Sequence, residues 1–327
     1  MSSPGVRDHI PAEPGRDAAI PPPVRRWLAE LADYKNRAKA KGFRLTVTNV
    51  RESLDTLTRL FVTRAPKIAL VHDDVIPAPQ YPVPVRIYHP APDRPLPVAL
   101  FVHGGGHVAG GITLYDSIAR KLASVSQWVI VSVEYRLAPE CPYPAGLKDV
   151  LASAKRVFRL LDNLQLAHTP RLGLIGDSAG GALCATAAHL GQYEPGLEIE
   201  RQVLIYPSLD YSLSSPSVLE NGTGYFLERE RILWMFDSYL QNQENRRQVS
   251  PLFMEFTTKY PQTLLITSEF DPLRDEGARY GRLLQEAGHA VEHLHFAEMI
   301  HAFLNIEDLV PEVCSRAYNS IGAFLNR

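Results

Sequence analysis

"RLGLIGDSAGGALCATAAHL", Arg171 to Leu190, decides the fold. Its first half is a short apolar run that reads as a strand. Its second half is a run of small residues of helical length. Between them stands Gly176-Asp177-Ser178-Ala179-Gly180, the G-x-S-x-G pattern in the strand–turn–helix setting that gives it meaning. A serine in that setting sits on a tight turn, its hydroxyl clear of the sheet. Gly176 and Gly180 leave room where a Cβ would meet neighbouring backbone. Ala179 offers an unpaired N–H at the start of a helix. A serine that merely caps a helix needs no such company, so the rest of the chain has to decide.

Strands and helices alternate on both sides of this stretch. "PVALFVH", "WVIVSVE", "RLGLIG", "RQVLIY", "QTLLITS" and "AVEHLHF" are short apolar runs. Helical spacing falls between them near Tyr115–Ser126, Leu147–Leu161, Ala179–Leu190 and Asp275–Ala287, and a last helix is predicted over Pro311–Leu325. Continuous apolar strands are buried on both faces, so the alternation predicts an α/β fold, a parallel sheet with helices on each side. Earlier, "KIALVHDDVIPA" and "YPVPVRIYHP" are β-rich but broken by prolines, and read as an antiparallel edge. Two helices precede them. One runs from Pro21 to a stop at Gly42, and the other is predicted to be capped by Ser53.

One connection breaks the rhythm. From Ser208 to Phe253 there is no strand, only a helix near Glu228–Leu240. So long an insertion in a compact sheet is usually functional. With residues 21–62 it is expected to form a cap over the carboxyl ends of the strands, where such sheets bind ligands. The core then spans 63–327, with the cap insertion at about 208–253. Residues 1–20, rich in Pro and Gly, read as a poorly ordered lead-in.

Composition narrows the partners. The chain has 327 residues with 34 Lys and Arg against 36 Asp and Glu, so no basic excess points to nucleic acid. The three cysteines, Cys141, Cys184 and Cys314, are widely spaced, which argues against a disulfide frame or a zinc site and fits a reducing, cytoplasmic compartment. No apolar run has the length of a membrane span, and the first residues contain no apolar signal core.

A nucleophilic serine needs a base and an acid that orients it, and in this kind of fold they follow in the order Ser, Asp, His. After "TLLITSEF" comes Asp271, kept out of helix by Pro272. Asp275 is its rival but reads as the N-cap of the next helix. Glu269 is nearer the strand body. After "VEHLHF" the next loop holds His301, whereas His293 and His295 alternate within the strand.

With Ser178, Asp271 and His301 in those roles, "FVHGGGHVAGG", Phe101 to Gly111, acquires a use. Gly104-x-Gly106-x-x-Ala109 fits the spacing of a dinucleotide-binding turn, and Glu134 ends the following strand as a ribose-binding acid would. However, "GGITLYD" separates the glycines from the helix, and that reading leaves the later motifs unused. As an oxyanion loop, the glycines let the N–H groups of Gly105 and Gly106, beside that of Ala179, face one point. His103 then ties the loop down by hydrogen bonding.

In combination, "HGGG", "YRLAPECPYPA", "GDSAGG", "FDPLRDEG" and the late His301 resemble the hormone-sensitive-lipase family of α/β-hydrolase carboxylesterases, from about Lys67 to the end. "EFDPLRDEGARYGRLLQEAG" and "IHAFLN" look most like its bacterial acetyl esterases. The resemblance implies an eight-stranded, mostly parallel sheet, a helical cap, no cofactor and no metal. It also implies the triad Ser178, Asp271, His301 and an oxyanion hole from Gly105, Gly106 and Ala179. The expected substrate is a small-molecule ester with a short acyl chain, acetyl to about hexanoyl. His107 stands where members usually have an aromatic residue and is expected to shape the mouth of the pocket. Ala302 replaces a frequent glycine, and Glu134 a more common aspartate. A serine peptidase on the same fold would use the same triad. A small-molecule receptor on that fold would lack the base.

Overall fold

The computed structural model describes residues 16–257 and 259–327. Eight strands form one sheet: β1 Leu70–Ile76, β2 Val83–His89, β3 Leu96–Val102, β4 Val129–Val133, β5 His168–Asp177, β6 Arg201–Ile205, β7 Gln262–Phe270 and β8 Val291–Ile300. Their order is β1-β2-β4-β3-β5-β6-β7-β8. β2 runs antiparallel to both β1 and β4, and every later pairing is parallel. The proline-broken stretches are thus the antiparallel edge. The helices are α1 Pro22–Ala40, α2 Val47–Phe61, α3 Asp116–Ser126, α4 Ala145–Asn163, α5 Ala179–Gly191, α6 Ser217–Glu220, α7 Arg229–Tyr239, α8 Arg274–Glu286 and α9 Pro311–Leu325.

The side-chain period of two along a strand splits the core into two layers. In β3, Ala99 and Phe101 face one layer with Ile118 of α3 and Ile321 of α9. Val98, Leu100 and Val102 face the other, with Val150 of α4, Leu183 of α5 and Leu284 of α8. All five of these β3 residues are buried. A run with no polar interruption is what a strand covered by helices on both faces requires.

A third cluster joins the two irregular parts of the chain. Val50 of α2 packs with Ile232, Met235 and Phe236 of α7 and with Val108 beyond the glycine loop. Trp27 of α1 stacks near Phe226, with ring centroids 5.5 Å apart, and Lys35 donates to Glu228 at 2.9 Å.

Three local expectations are corrected. α2 starts at Val47 rather than Ser53, because Thr46 and Asn49 form a reciprocal capping box. The Ser53 hydroxyl instead donates to the Val50 carbonyl inside the helix. α8 starts one residue before Asp275, whose carboxylate accepts the N–H of Ser217 in α6, so Asp275 is not its cap. Of the lead-in, residues 1–15 lie outside the described residues. Ile20 is buried in the core and Asp17 accepts a 2.6 Å hydrogen bond from Tyr225, so this end of the segment is held in place.

Candidate active site

The sheet delivers four loops to one end. Val102 and Gly176 are register partners in β3 and β5, so the glycine loop and the Ser178 turn leave the sheet side by side. Phe270 and Ile300 are partners in β7 and β8. The next residues are Asp271 and His301.

Ser178 has φ 53° and ψ −118°, a sparsely populated backbone conformation that typically costs ~1–3 kcal/mol. The Ser178 N–H donates to the Ile205 carbonyl at 2.9 Å, and its carbonyl accepts from Ala182 and Ser208. A Cβ on Gly180 would run into the Val102 carbonyl oxygen, and one on Gly176 into the carbonyl of Gly180. The turn is therefore built only with glycine at both places.

The Ser178 hydroxyl lies 2.9 Å from His301 Nε2, and His301 Nδ1 lies 2.7 Å from Asp271 Oδ2. An Nδ1–H donating to the carboxylate leaves Nε2 free to accept from the serine. Asp271 and His301 are buried, and Tyr206 holds the imidazole edge-on at 4.9 Å. Asp271 Oδ1 accepts the Leu273 N–H at 2.8 Å. Asn221 Nδ2 donates to the Asp271 and Glu269 carbonyls, and the Ser217 hydroxyl donates to that of Pro272. The 208–253 segment thus braces the loop that carries the carboxylate.

Gly105 and Gly106 have φ 116° and 65°, in the region that glycine tolerates, and they line the same cavity as Ser178, Ala179 and His301. Asp177 Oδ1 accepts the Gly104 N–H at 2.7 Å. His103 Nδ1–H donates to the Gly104 carbonyl at 2.8 Å, and its ring stacks on Tyr135 at 4.4 Å. Burial lowers the pKa of the His103 imidazole. Glu134 accepts the Ile112 N–H at 2.6 Å, which fixes the far end of the loop.

His107 does not reach the cavity. Its φ of 63° turns it into the third cluster, where it stacks on Tyr239 at 3.8 Å and meets the Tyr211 hydroxyl at 3.1 Å. Burial pushes its pKa down to about 3. The wall nearest the glycines is instead Met235, whose sulfur occupies the place a Cβ on Gly106 would take. The cavity is small, ≈ 60 Å³. A larger open cleft of ≈ 820 Å³ lies between α2, the β1–β2 edge and Gly110–Leu114, and Ser178, Asp271 and His301 do not line it.

Sequence reasoning did not single out Asp177, Asn221 or Met235. Only Asp177 carried a signal, its place within "GDSAGG"; the other two act across long sequence separations.

A serine, an imidazole and a buried carboxylate at these distances can carry out acyl transfer. A family model of the α/β-hydrolase fold matches residues 99–305. The carboxylesterase NlhH of Mycobacterium tuberculosis is 36% identical over 252 residues, 74% of this chain and 77% of that protein. The chain belongs to the hormone-sensitive-lipase family of α/β-hydrolases. Within that family it is similar to the ethyl acetate hydrolase of Pseudomonas putida, 32% identical over 236 residues, 70% of this chain and 74% of that protein. The hyperthermophilic esterase of Pyrobaculum calidifontis has the same fold, with a TM-score of 0.83 at 31% identity over 94% of this chain and 97% of that one. This α/β-hydrolase is a carboxylic ester hydrolase. No helix among the described residues is long and apolar enough to cross a membrane.

Proposed function

We propose that the enzyme hydrolyses short-chain acyl esters, acetyl to about hexanoyl, through an acyl-enzyme on Ser178. The observation that carries this is the continuous relay from Ser178 Oγ to His301 (2.9 Å) to Asp271 (2.7 Å) on a strained turn.

Ser178 attacks the ester carbonyl while His301 Nε2 takes its proton. Asp271 holds the imidazole in the required tautomer and stabilises the imidazolium. The N–H groups of Gly105, Gly106 and Ala179 receive the negative charge on the carbonyl oxygen. One such donor typically contributes ~3–4 kcal/mol to lowering the barrier. His301 then gives the proton to the departing alcohol. A water, deprotonated by His301, attacks the acyl-enzyme and releases the acid.

Residues 21–62 and 208–253 form the cap in this reading. The support is their mutual packing and the cavity wall they supply through Leu54, Phe226 and Met235. The small cavity and the likeness to an ethyl acetate hydrolase both favour short acyl groups. The three free thiols suit a cytoplasmic setting.

A fluorophosphonate probe tests the assignment. It is expected to label the wild type and not Ser178→Ala, and the folded variant is expected to lose ester turnover. Near-wild-type turnover by Ser178→Ala would remove the basis of the proposal.

A further inference from the structure

Arg231, on α7, lines the cavity that holds Ser178 and His301. Its companions there include Leu54, Phe226, Leu227, Ile232 and Met235, all apolar. A guanidinium has five N–H donors and cannot discharge itself by losing a proton at ordinary pH. The one hydrogen bond it makes among the described residues goes to the Ser53 hydroxyl, at 3.3 Å. Glu228 is the carboxylate whose charge acts on it, but Glu228 is bound by Lys35 at 2.9 Å. Three other partly buried arginines are matched to carboxylates: Arg86 to Asp73, Arg136 to Asp149, and Arg274 to Glu220, Glu269 and Asp275. Arg231 has no ion pair among the described residues.

Arg231 is only partly buried, so its guanidinium keeps some solvent, but beside these apolar side chains it is less well hydrated than a surface arginine, and an entering anion recovers part of that cost. Burial also lowers the guanidinium's proton affinity, as expected for a desolvated cation. The other titratable groups facing the cavity are already engaged. His301 is held by Asp271, and the Asp177 carboxyl accepts from the Gly104 N–H and the Tyr115 hydroxyl.

We infer that Arg231 is an anion anchor, and that the enzyme's preferred esters carry a carboxylate that pairs with its guanidinium while the ester carbonyl sits at Ser178. This rests on the carboxylesterase reading with Ser178 as nucleophile. The anchor is specificity-determining: it acts on which ester is held, and the acyl transfer itself proceeds as described. The carboxylate can belong to the acyl half, as in a half-ester of a dicarboxylic acid, or to the alcohol half.

Two matched pairs of esters separate these sources. Monomethyl succinate against methyl pentanoate places the charge on the acyl side. 4-Acetoxybenzoate against 4-acetoxyacetophenone places it on the alcohol side. kcat/KM is measured for the wild type, Arg231→Gln and Arg231→Lys at low salt, and each protein is scored by its charged-to-neutral ratio, so that a general loss of activity cancels. In at least one pair the ratio is expected to fall by about tenfold or more in Arg231→Gln, in line with a hydrogen bond to a charged partner. Arg231→Lys should retain part of it. Added salt should lower the wild-type ratio even if the Gln variant folds poorly. A role confined to tying α7 to α2 through Ser53 would move neither ratio. Unchanged ratios in both pairs, with neutral esters still turned over, would overturn the anchor and leave the carboxylesterase reading standing. A wild type that hydrolyses none of the four esters would overturn that reading itself.

Discussion

The carboxyl of Asp177, the residue before Ser178, accepts the N–H of Gly104, the residue before Gly105, at 2.7 Å. One side chain therefore spaces the two halves of the site. It is buried, and burial pushes its pKa up to about 7 against the pull of the Gly104 hydrogen bond. Below ~3.9 both the folded and unfolded chains hold this proton; between there and about 7 only the folded chain does. The unfolded state then binds fewer protons, so this group erodes stability as pH rises through the window, by up to ~1.4 kcal/mol per pH unit, and no further above it. Asp177→Asn keeps an acceptor for Gly104 and cannot ionise. Its melting temperature relative to the wild type is expected to be higher at pH 8 than at pH 5, read by thermal unfolding across pH. A difference independent of pH would mean that Asp177 is ionised in the fold throughout. Asp177→Ala, with no acceptor at all, should depress kcat more than it raises KM.

Two neighbouring carboxylates should behave differently. Asp271 touches His301, whereas Asp275 accepts the Ser217 N–H and pairs with Arg274 at 2.9 Å. Asp271→Asn is expected to lower kcat by about 10³–10⁴-fold, because the imidazole loses the partner that fixes its tautomer. Asp275→Asn retains an acceptor for Ser217 and should stay within a few-fold of wild type, with a slight loss in melting temperature. Steady-state rates on one acetyl ester decide this, and the opposite ranking would assign the orienting role to Asp275.

The contrast marks what the sequence made legible. Apolar runs were enough for the central parallel strands, because strands covered by helices on both faces are dominated by apolar residues, although β6 and β7 bury Gln202 and Thr263 as a hydrogen-bonded pair. The motif order pointed to Ser178, Asp271 and His301, and the structure brings these three side chains within hydrogen-bonding distance, since each follows a strand end and the sheet aligns those ends. Helix starts were less legible. The box at Thr46 uses Asn49 where Glu or Gln is the usual signal, and a serine further on looked like the better cap. The direction of a side chain after a turn was not legible at all. His107 was expected at the mouth of the pocket, but a positive φ at 107 sends that ring away from the cavity, and Met235 lies over Gly106 instead.

His107 should matter to stability rather than to substrate choice. Its ring lies on Tyr239 and bonds the Tyr211 hydroxyl. His107→Phe preserves the stacking but leaves that buried hydroxyl without its partner, at a cost of about 1–3 kcal/mol. Chemical denaturation should show this loss, while the ratio of butyryl to acetyl kcat/KM stays near the wild-type value. A large change in that ratio with stability unaltered would mean that residue 107 reaches the acyl site.

Acyl length should be governed by Met235. Each CH₂ buried beside the nucleophile contributes about 0.8 kcal/mol until the cavity is full, after which overpacking costs more than burial returns. With ≈ 60 Å³ of space, that limit comes early. kcat/KM on p-nitrophenyl esters is expected to peak between acetyl and hexanoyl and to fall steeply towards octanoyl and palmitoyl. Met235→Ala removes the thioether that lies over Gly106 and should move the maximum about two carbons longer. It should also lower stability, by about 2–5 kcal/mol at a fully packed site and less here, where the new space adjoins a cavity. A wild-type maximum at palmitoyl, or a rise in rate at a lipid interface, would mean that α7 and α2 open as a lid. A Met235→Ala profile identical to the wild type would place the acyl chain elsewhere in the cavity, beyond the reach of α7.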